Sequence, residues 1–476
     1  MCYNSFHEAP LKKFLLLSLA IFIIICLVYI HLASTPYTVY EEVRPETVSA
    51  FSFDSFTSDT PSGESARILF SNEEALERRM QLVNNAKERI TLSTFELKID
   101  DSTRPLIAAL MMAARRGVEV RFLVDGAYPY RPDEIFFLSA LGRQKNATVK
   151  IYNPRNPFAP GKWMSRLHDK YLIVDDEAYI LGGRNTTEGF LGKGENKKNY
   201  DWDVLVRSGG ENPSIRQVQD YAETVWAYED VKVRYNRSLF WFVTKKAEDI
   251  LEELWEESKV THPEWYEVTD YSDLQPVNRI SLLHNPIETH RKEPVLFYNL
   301  TELMKRADGD IVFHTPYIVL NDYMEERLRE VTGSGKHVTA MTNTPPNNDN
   351  MVCAADFITN KVSILDTGLD ILEFNGGRSY HGKCFTLGQR LLGVGSFNWD
   401  IRSAYLDTEL MLVLDSPPLN QELRDYMSYY ENQALKVRPD GTYVLEEGQS
   451  EPEAEGIKKF MIKLLIRFDK QYHYLL

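Results

Sequence analysis

Two short segments of the 476-residue chain carry the residue types that phosphoryl chemistry needs. The first reads Arg166-Leu-His168-Asp-Lys170-Tyr-Leu-Ile-Val-Asp175 and is followed by Gly182-Gly183-Arg184-Asn185. The second reads Tyr380-His381-Gly-Lys383-Cys-Phe-Thr-Leu-Gly388 and is followed by Gly395-Ser396-Phe397-Asn398. Histidine and asparagine are 17 residues apart in both. An imidazole is a nucleophile or a proton donor near neutral pH. Lysine and asparagine supply charge and fixed donors for phosphate oxygens. On a strand, residues two apart face the same side, so each His and Lys can reach one ligand atom. The glycines let the backbone turn closely and bring the asparagine back to that face. A third His-x-Lys, His290-Arg-Lys292, lacks both the downstream Asp and the Gly-x-Asn, and reads as a surface accident. One such tripeptide is weak; two with the same offset are not a coincidence of composition.

The elements that must hold these segments also occur twice. In the first copy, Ser71-Asn-Glu-Glu74 predicts a capped helix running to about Lys87. A strand over 90–97, a helix over 106–115 and a strand over 118–124 follow. In the second copy the pattern predicts a helix over 296–305, a strand over 311–319, a helix over 323–331 and a strand over 337–342. Alternating strands and helices indicate α/β layers, and duplication indicates two similar halves packed together.

At these residues the chain resembles the phospholipase D superfamily, marked by duplicated H-x-K-x4-D and G-S-x-N segments, and most of all bacterial cardiolipin synthases with one amino-terminal hydrophobic segment. The likeness extends over roughly Arg67 to Asp415 and includes His314-Thr-Pro-Tyr317, Thr342-Asn-Thr and Gly395-Ser-Phe-Asn-Trp-Asp-Ile-Arg-Ser403 with Thr408-Glu409. It implies an α/β fold of two phospholipase D-like halves, each a mixed sheet flanked by helices, with the active site at their interface. It also implies a two-step mechanism without metal or cofactor. One His attacks phosphorus to form a phosphohistidine, and the other protonates the departing alcohol and then activates the acceptor. His168, Lys170, Asn185, His381, Lys383 and Asn398 would carry the chemistry, with His168 favoured as nucleophile because its motif is complete. Glu409 and Asp203, with Asp201 as a substitute, would orient the imidazoles; Asp175, Gly183 and Ser396 would be structural. Gly388 departs from the pattern by standing where the second motif carries Asp, which either loosens that half or is compensated elsewhere.

The termini point to a membrane. Phe14 to Leu32 is an almost uninterrupted apolar run. At 1.5 Å per residue it spans about 28 Å, enough for a hydrocarbon core. It is longer than the apolar region of a cleaved signal peptide. Lys12 and Lys13 precede it, and Glu41 and Glu42 are the first charges after its immediate flank, so the positive-inside rule puts the catalytic part outside the cytoplasm. The expected units are an anchor (1–32), a spacer rich in Ser, Thr and Pro (33–65), two halves (66–272 and 273–440) and an acidic linker with an amphipathic interfacial tail (441–476). The tail sets apolar side chains among Lys458, Lys459, Lys463, Arg467 and Lys470. A polar insertion with Lys193, Lys197 and Lys198 reads equally as a lid or a solvated loop, and Phe158 and Trp163 as loop packing or an acyl-chain entrance. The net charge of −15 weighs against a protein that grips nucleic acid. Four cysteines are too few for a disulfide scaffold, and Cys353 and Cys384 read as free thiols. Phospholipid substrates, phosphatidylglycerol and a second phospholipid, follow from the resemblance, with a phosphatidyltransferase of cardiolipin-synthase type as the leading activity. Phospholipid hydrolysis, a nuclease or other phosphodiesterase, and an inactive membrane scaffold are the alternatives.

Overall fold

The computed structural model describes residues 8–40, 42–128, 130–193, 199–211, 213–236 and 241–476, the side chains of 8–12, 241 and 243 excepted. Cys2, Glu41, Lys197 and Lys198 therefore lie outside the described residues. The protein is a mixed α/β fold, and its named strands form two sheets of the same plan. The nine-stranded sheet has a parallel centre, Arg89–Thr94, Glu119–Asp125 and Ala147–Tyr152. The hairpin Tyr171–Val174/Ala178–Gly182 joins it antiparallel, then Asp203–Arg207 and Ser65–Leu69. The eight-stranded sheet repeats this with Ile311–His314, Val338–Asn343 and Asp370–Phe374, then the hairpin Cys384–Leu387/Leu391–Gly395, then Leu410–Asp415 and Arg279–His284.

Local chemistry explains the elements. Ser71 accepts from the Glu74 amide at 3.0 Å and starts the helix Asn72–Asn85. The left-handed Gly117 ends the helix Arg104–Arg116. In the second half the corresponding helices are Val295–Arg306 and Asp322–Gly333. Both parallel strands after these first helices are shorter than their apolar runs, ending at Thr94 and His314, after which the chain makes an isolated bridge within its own half, Leu97 with Thr186 and Ile318 with Trp399. Side chains from both sheets meet in one core containing Leu167, Tyr171, Trp202, Tyr380, Cys384 and Leu410. Cys353 and Cys384 are free and buried, as the sequence suggested.

The helix Glu8–Ser34 contains the long apolar run, and it is apolar and long enough to cross a membrane. Three expectations need correction. The supposed spacer is packed onto the body: Tyr37 and Phe56 are buried in the second half's core, and the Ser58 amide donates to Asp415 at 2.8 Å. Its aromatic residues find apolar partners that a Ser/Thr/Pro reading did not weigh. The tail is not a free amphipathic helix. Gly456–Ile466 lays Ile462, Leu465 and Ile466 against Ala354 and Ala355, and His473 holds Asp356 at 2.6 Å. Ile457, Phe460, Leu464 and Phe468 remain exposed on its other side. Finally, Lys292 is no surface accident, since it is buried and donates to the Leu406 carbonyl.

Candidate active site

Neither His-x-Lys lies on a strand. Each occupies the extended segment just before the first strand of its hairpin, and each of those segments pairs with the opposite half. Leu167 bridges Thr408: the His168 amide donates to the Thr408 carbonyl at 3.3 Å, and the Thr408 amide to the Arg166 carbonyl at 2.9 Å. Tyr380 bridges Tyr200 in the same way, with the His381 amide donating to the Tyr200 carbonyl at 2.7 Å. The residue after each bridge partner is an acid, so each half presents a carboxylate to the other half's histidine. Glu409 Oε1 lies 2.8 Å from His168 Nδ1, and Asp201 Oδ2 lies 2.6 Å from His381 Nδ1. Engaging Nδ1 fixes the ring and leaves Nε2 as the reactive nitrogen.

This arrangement corrects the placing of the first-half acid. Asp203 is fully buried but is held by Arg79 at 2.9 Å and Arg184 at 3.2 Å. It sits on the strand Asp203–Arg207 and is shared by two buried guanidinium groups, whereas Asp201 precedes that strand and faces the interface. The backbone marks the equivalence, since the Gly183 amide donates to the Trp202 carbonyl as the Ser396 amide does to the Leu410 carbonyl. Trp202 and Leu410 thus correspond, and so do their predecessors Asp201 and Glu409. Sequence offset alone misses this because the insertion after Gly192 breaks the common spacing. Gly183 and Ser396 also exchange roles with their acids. Ser396 Oγ donates to Glu409, while a Cβ on Gly183 would stand 2.1 Å from Asp201 Oδ1. The shorter acid fills the space a serine side chain would occupy.

The two imidazoles are both buried, and the charges of Lys383 and His381 reach His168. Burial, with Lys170 and Lys383 adding, holds the His168 imidazole well below its ordinary value, which keeps it neutral. Burial and Lys383 also lower His381, while Asp201 works against them. The acids differ. Burial pushes the Glu409 carboxyl well above its usual range, opposed by Lys170 and by the hydroxyls of Ser396 and Ser403, the latter at 2.6 Å. For Asp201, burial is outweighed by the Lys383 charge and the His381 bond, and the carboxyl falls below its usual range. Lys170 donates to the His168 carbonyl at 2.6 Å and is brought down to about 7 by burial. Lys383 lies 3.5 Å from Asp201 and against the His381 ring, and burial lowers it as well.

Asn185 accepts from the Glu96 amide at 3.2 Å, a bond that uses its oxygen and not its NH2 donors. Asn398 is buried and its side-chain oxygen has no hydrogen-bond partner among the described residues. Phe95 meets the His168 ring edge-on at 5.0 Å, and Phe190 meets His381 in the same way at 4.9 Å. The sequence reading missed both phenylalanines, and it named Ser403 only as part of the second motif, without a role. Lys193, on the insertion, is not among the groups that contact either imidazole.

Asp175 and Gly388 occupy matching turns, each with φ of 53°. Asp175 accepts the amides of Lys87, Glu88 and Arg89 at 2.8–3.0 Å and pins the start of the central strand. At Gly388 the Asp308 carbonyl would lie 1.8 Å from a Cβ, and the Gly388 amide donates to the Asp310 carbonyl at 2.9 Å. The Asp175 amide makes the same bond to the Arg89 carbonyl at 2.8 Å, so the two turns share their backbone and differ in that the second has no room for a side chain.

Comparison with known proteins agrees with this geometry. A family model described as cardiolipin synthase, PLD-like domain, matches residues 80–226 and 300–430. An uncharacterized protein of Helicobacter pylori is 23% identical over 428 residues, covering 80% of this chain and 84% of that one. Cardiolipin synthase C of Escherichia coli is 26% identical over 388 residues, covering 73% and 80%. Among solved structures, phosphatidylserine synthase of Haemophilus influenzae superposes with a TM-score of 0.60 over 90% of this chain and 96% of that one, at 14% identity, a likeness of fold.

Proposed function

Because the chain belongs to the cardiolipin synthase, PLD-like family within the phospholipase D superfamily, we propose that it is a membrane-anchored phosphatidyltransferase of cardiolipin-synthase type. Crossed carboxylate–imidazole pairs at the junction of the halves carry the reading.

In the first step His168 Nε2 attacks the phosphorus of a phospholipid, the bond to the headgroup oxygen breaks, and His381 gives that oxygen its proton. The product is a phosphatidyl-histidine and a free alcohol. His381 then takes the proton from the glycerol hydroxyl of phosphatidylglycerol, whose oxygen attacks phosphorus and releases His168. Splitting one displacement into two lowers each barrier. Lys170, Lys383, Asn185 and Asn398 stabilise the charge on the equatorial oxygens. A neutral His168 favours it as nucleophile, and at His381 the ionised Asp201 opposes the lowering by burial and Lys383, which favours the proton-carrying role there over His168. The helix Glu8–Ser34 would anchor the protein in the membrane that supplies both substrates.

Purified protein in vesicles of phosphatidylglycerol and phosphatidylethanolamine is expected to make cardiolipin, and His168→Ala and His381→Ala each to abolish it. Phosphatidic acid as the sole product would assign hydrolysis, and nucleotide release from single-stranded DNA a nuclease.

A further inference from the structure

The loop between the strand Ala147–Tyr152 and the first His motif exposes aromatic side chains on a braced backbone. Phe158 at its tip is 95% exposed, Trp163 is 38% exposed, and Arg155 is exposed beside them. The loop is nevertheless held in shape. The Phe158 amide donates to Asn156 Oδ1 at 3.0 Å, and Trp163 Nε1 to the Asn156 carbonyl at 3.2 Å. At the base Asn153 donates to the carbonyls of Lys162 and Ser165 at 2.6 and 2.8 Å, and Lys162 is bonded to Asp230 at 2.6 Å. A fully exposed phenylalanine on a braced loop is costly in water and favourable at a lipid interface.

The apolar helix fixes where this loop lies. Tyr29 donates to the Pro157 carbonyl at 3.1 Å and meets the Trp163 ring edge-on at 5.1 Å. Tyr37 donates to the Gly161 carbonyl at 2.6 Å. Tyr29 stands three residues inside the apolar run that ends at Leu32, a depth of about 4.5 Å along the helix axis. A backbone group bonded to Tyr29 shares that depth, and Phe158 is the next residue.

We propose that residues 155–163 form a lipid-inserting wedge, with Phe158 in the acyl region, Trp163 at the headgroup boundary and Arg155 against lipid phosphates. The pattern of aromatic and cationic side chains is that of an interfacial anchor. The proposal rests on the reading that the helix crosses the bilayer, and it adds a second attachment directly upstream of His168.

The test uses full-length protein with Cys2 and Cys26 replaced by serine, in nanodiscs of phosphatidylglycerol and phosphatidylcholine. Phe158→Cys and, as a control on an exposed residue elsewhere, Val268→Cys are each labelled with NBD. Retention after alkaline carbonate treatment of vesicles reports the helix independently. The expected result is blue-shifted emission at 158, quenched several-fold more by doxyl lipids than emission at 268. Retention of the protein with an iodide-accessible label at 158 overturns the wedge alone. Shielding from iodide without doxyl quenching indicates a second copy and also overturns it. Release by carbonate removes the anchor and the wedge together.

Discussion

The two histidine centres share a backbone plan but not an electrostatic one. His168 faces a glutamate supported by two serine hydroxyls, with burial raising that acid. His381 faces an aspartate lying against the Lys383 ammonium, which lowers that acid. Symmetry therefore positions two imidazoles, and their surroundings differ. A neutral ring with an engaged Nδ1 suits attack on phosphorus, and a ring beside a firmly ionised carboxylate suits proton transfer.

Breaking either acid should have the largest effect. Glu409→Gln and Asp201→Asn are each expected to lower kcat by about 10³-fold or more, by analogy with loss of an orienting carboxylate in a triad. They should differ in a rapid-quench experiment: Glu409→Gln slows the appearance of the covalent intermediate, and Asp201→Asn slows its decay as well. Equal effects on both phases would erase the distinction between the centres.

Asp203 provides the contrast between support and chemistry. Asp203→Asn leaves Arg79 and Arg184 in the interior without their carboxylate, at a cost of about 3–5 kcal/mol. A denaturant midpoint should fall accordingly, while the pH dependence of the remaining activity keeps its shape. A shifted pH profile with unchanged stability would return Asp203 to the catalytic set.

The two copies of the structural turn sharpen the comparison further. Asp175→Ala removes an acceptor of three amides and should destabilise by about 1–3 kcal/mol. Gly388→Asp, the change that would restore the motif, should destabilise as well, because the Asp308 carbonyl occupies the required space. Thermal unfolding of both variants checks this; a stabilised Gly388→Asp would contradict the steric exclusion.

The smallest expected effect is on pH dependence. As pH falls, Glu409 takes up a proton and ceases to hold Nδ1–H. That limb should lie above the ordinary carboxylate value of about 4.3, because burial raises the group. As pH rises through about 7, Lys170 loses the charge it offers to phosphate. Lys170→Arg, always protonated, should move the alkaline limb upward in a profile of kcat/KM.

Much of this was legible in the residues. The His-x-Lys pairs, the returning glycines and the twin α/β patterns specify which side chains converge, because their periods and turns are local properties. The pairing across the halves was not legible. It depends on the Leu167–Thr408 and Tyr380–Tyr200 bridges, contacts between residues far apart in the chain. That is why Asp203 was favoured over Asp201, two positions away. The packing of Tyr37, Phe56 and Ile462 was hidden for a related reason, since an apolar residue in a polar segment does not name its partner. The lack of room at Gly388 was hidden too, because the obstructing group is a carbonyl, which every residue has.

The most direct measurement is mass spectrometry of the acid-labile adduct trapped within one turnover of short-chain phosphatidylglycerol. A phosphatidyl group on the peptide bearing His168, absent in His168→Ala and persisting in His381→Ala, is the predicted result. An adduct on the peptide bearing His381, or turnover with no adduct on either, would contradict it.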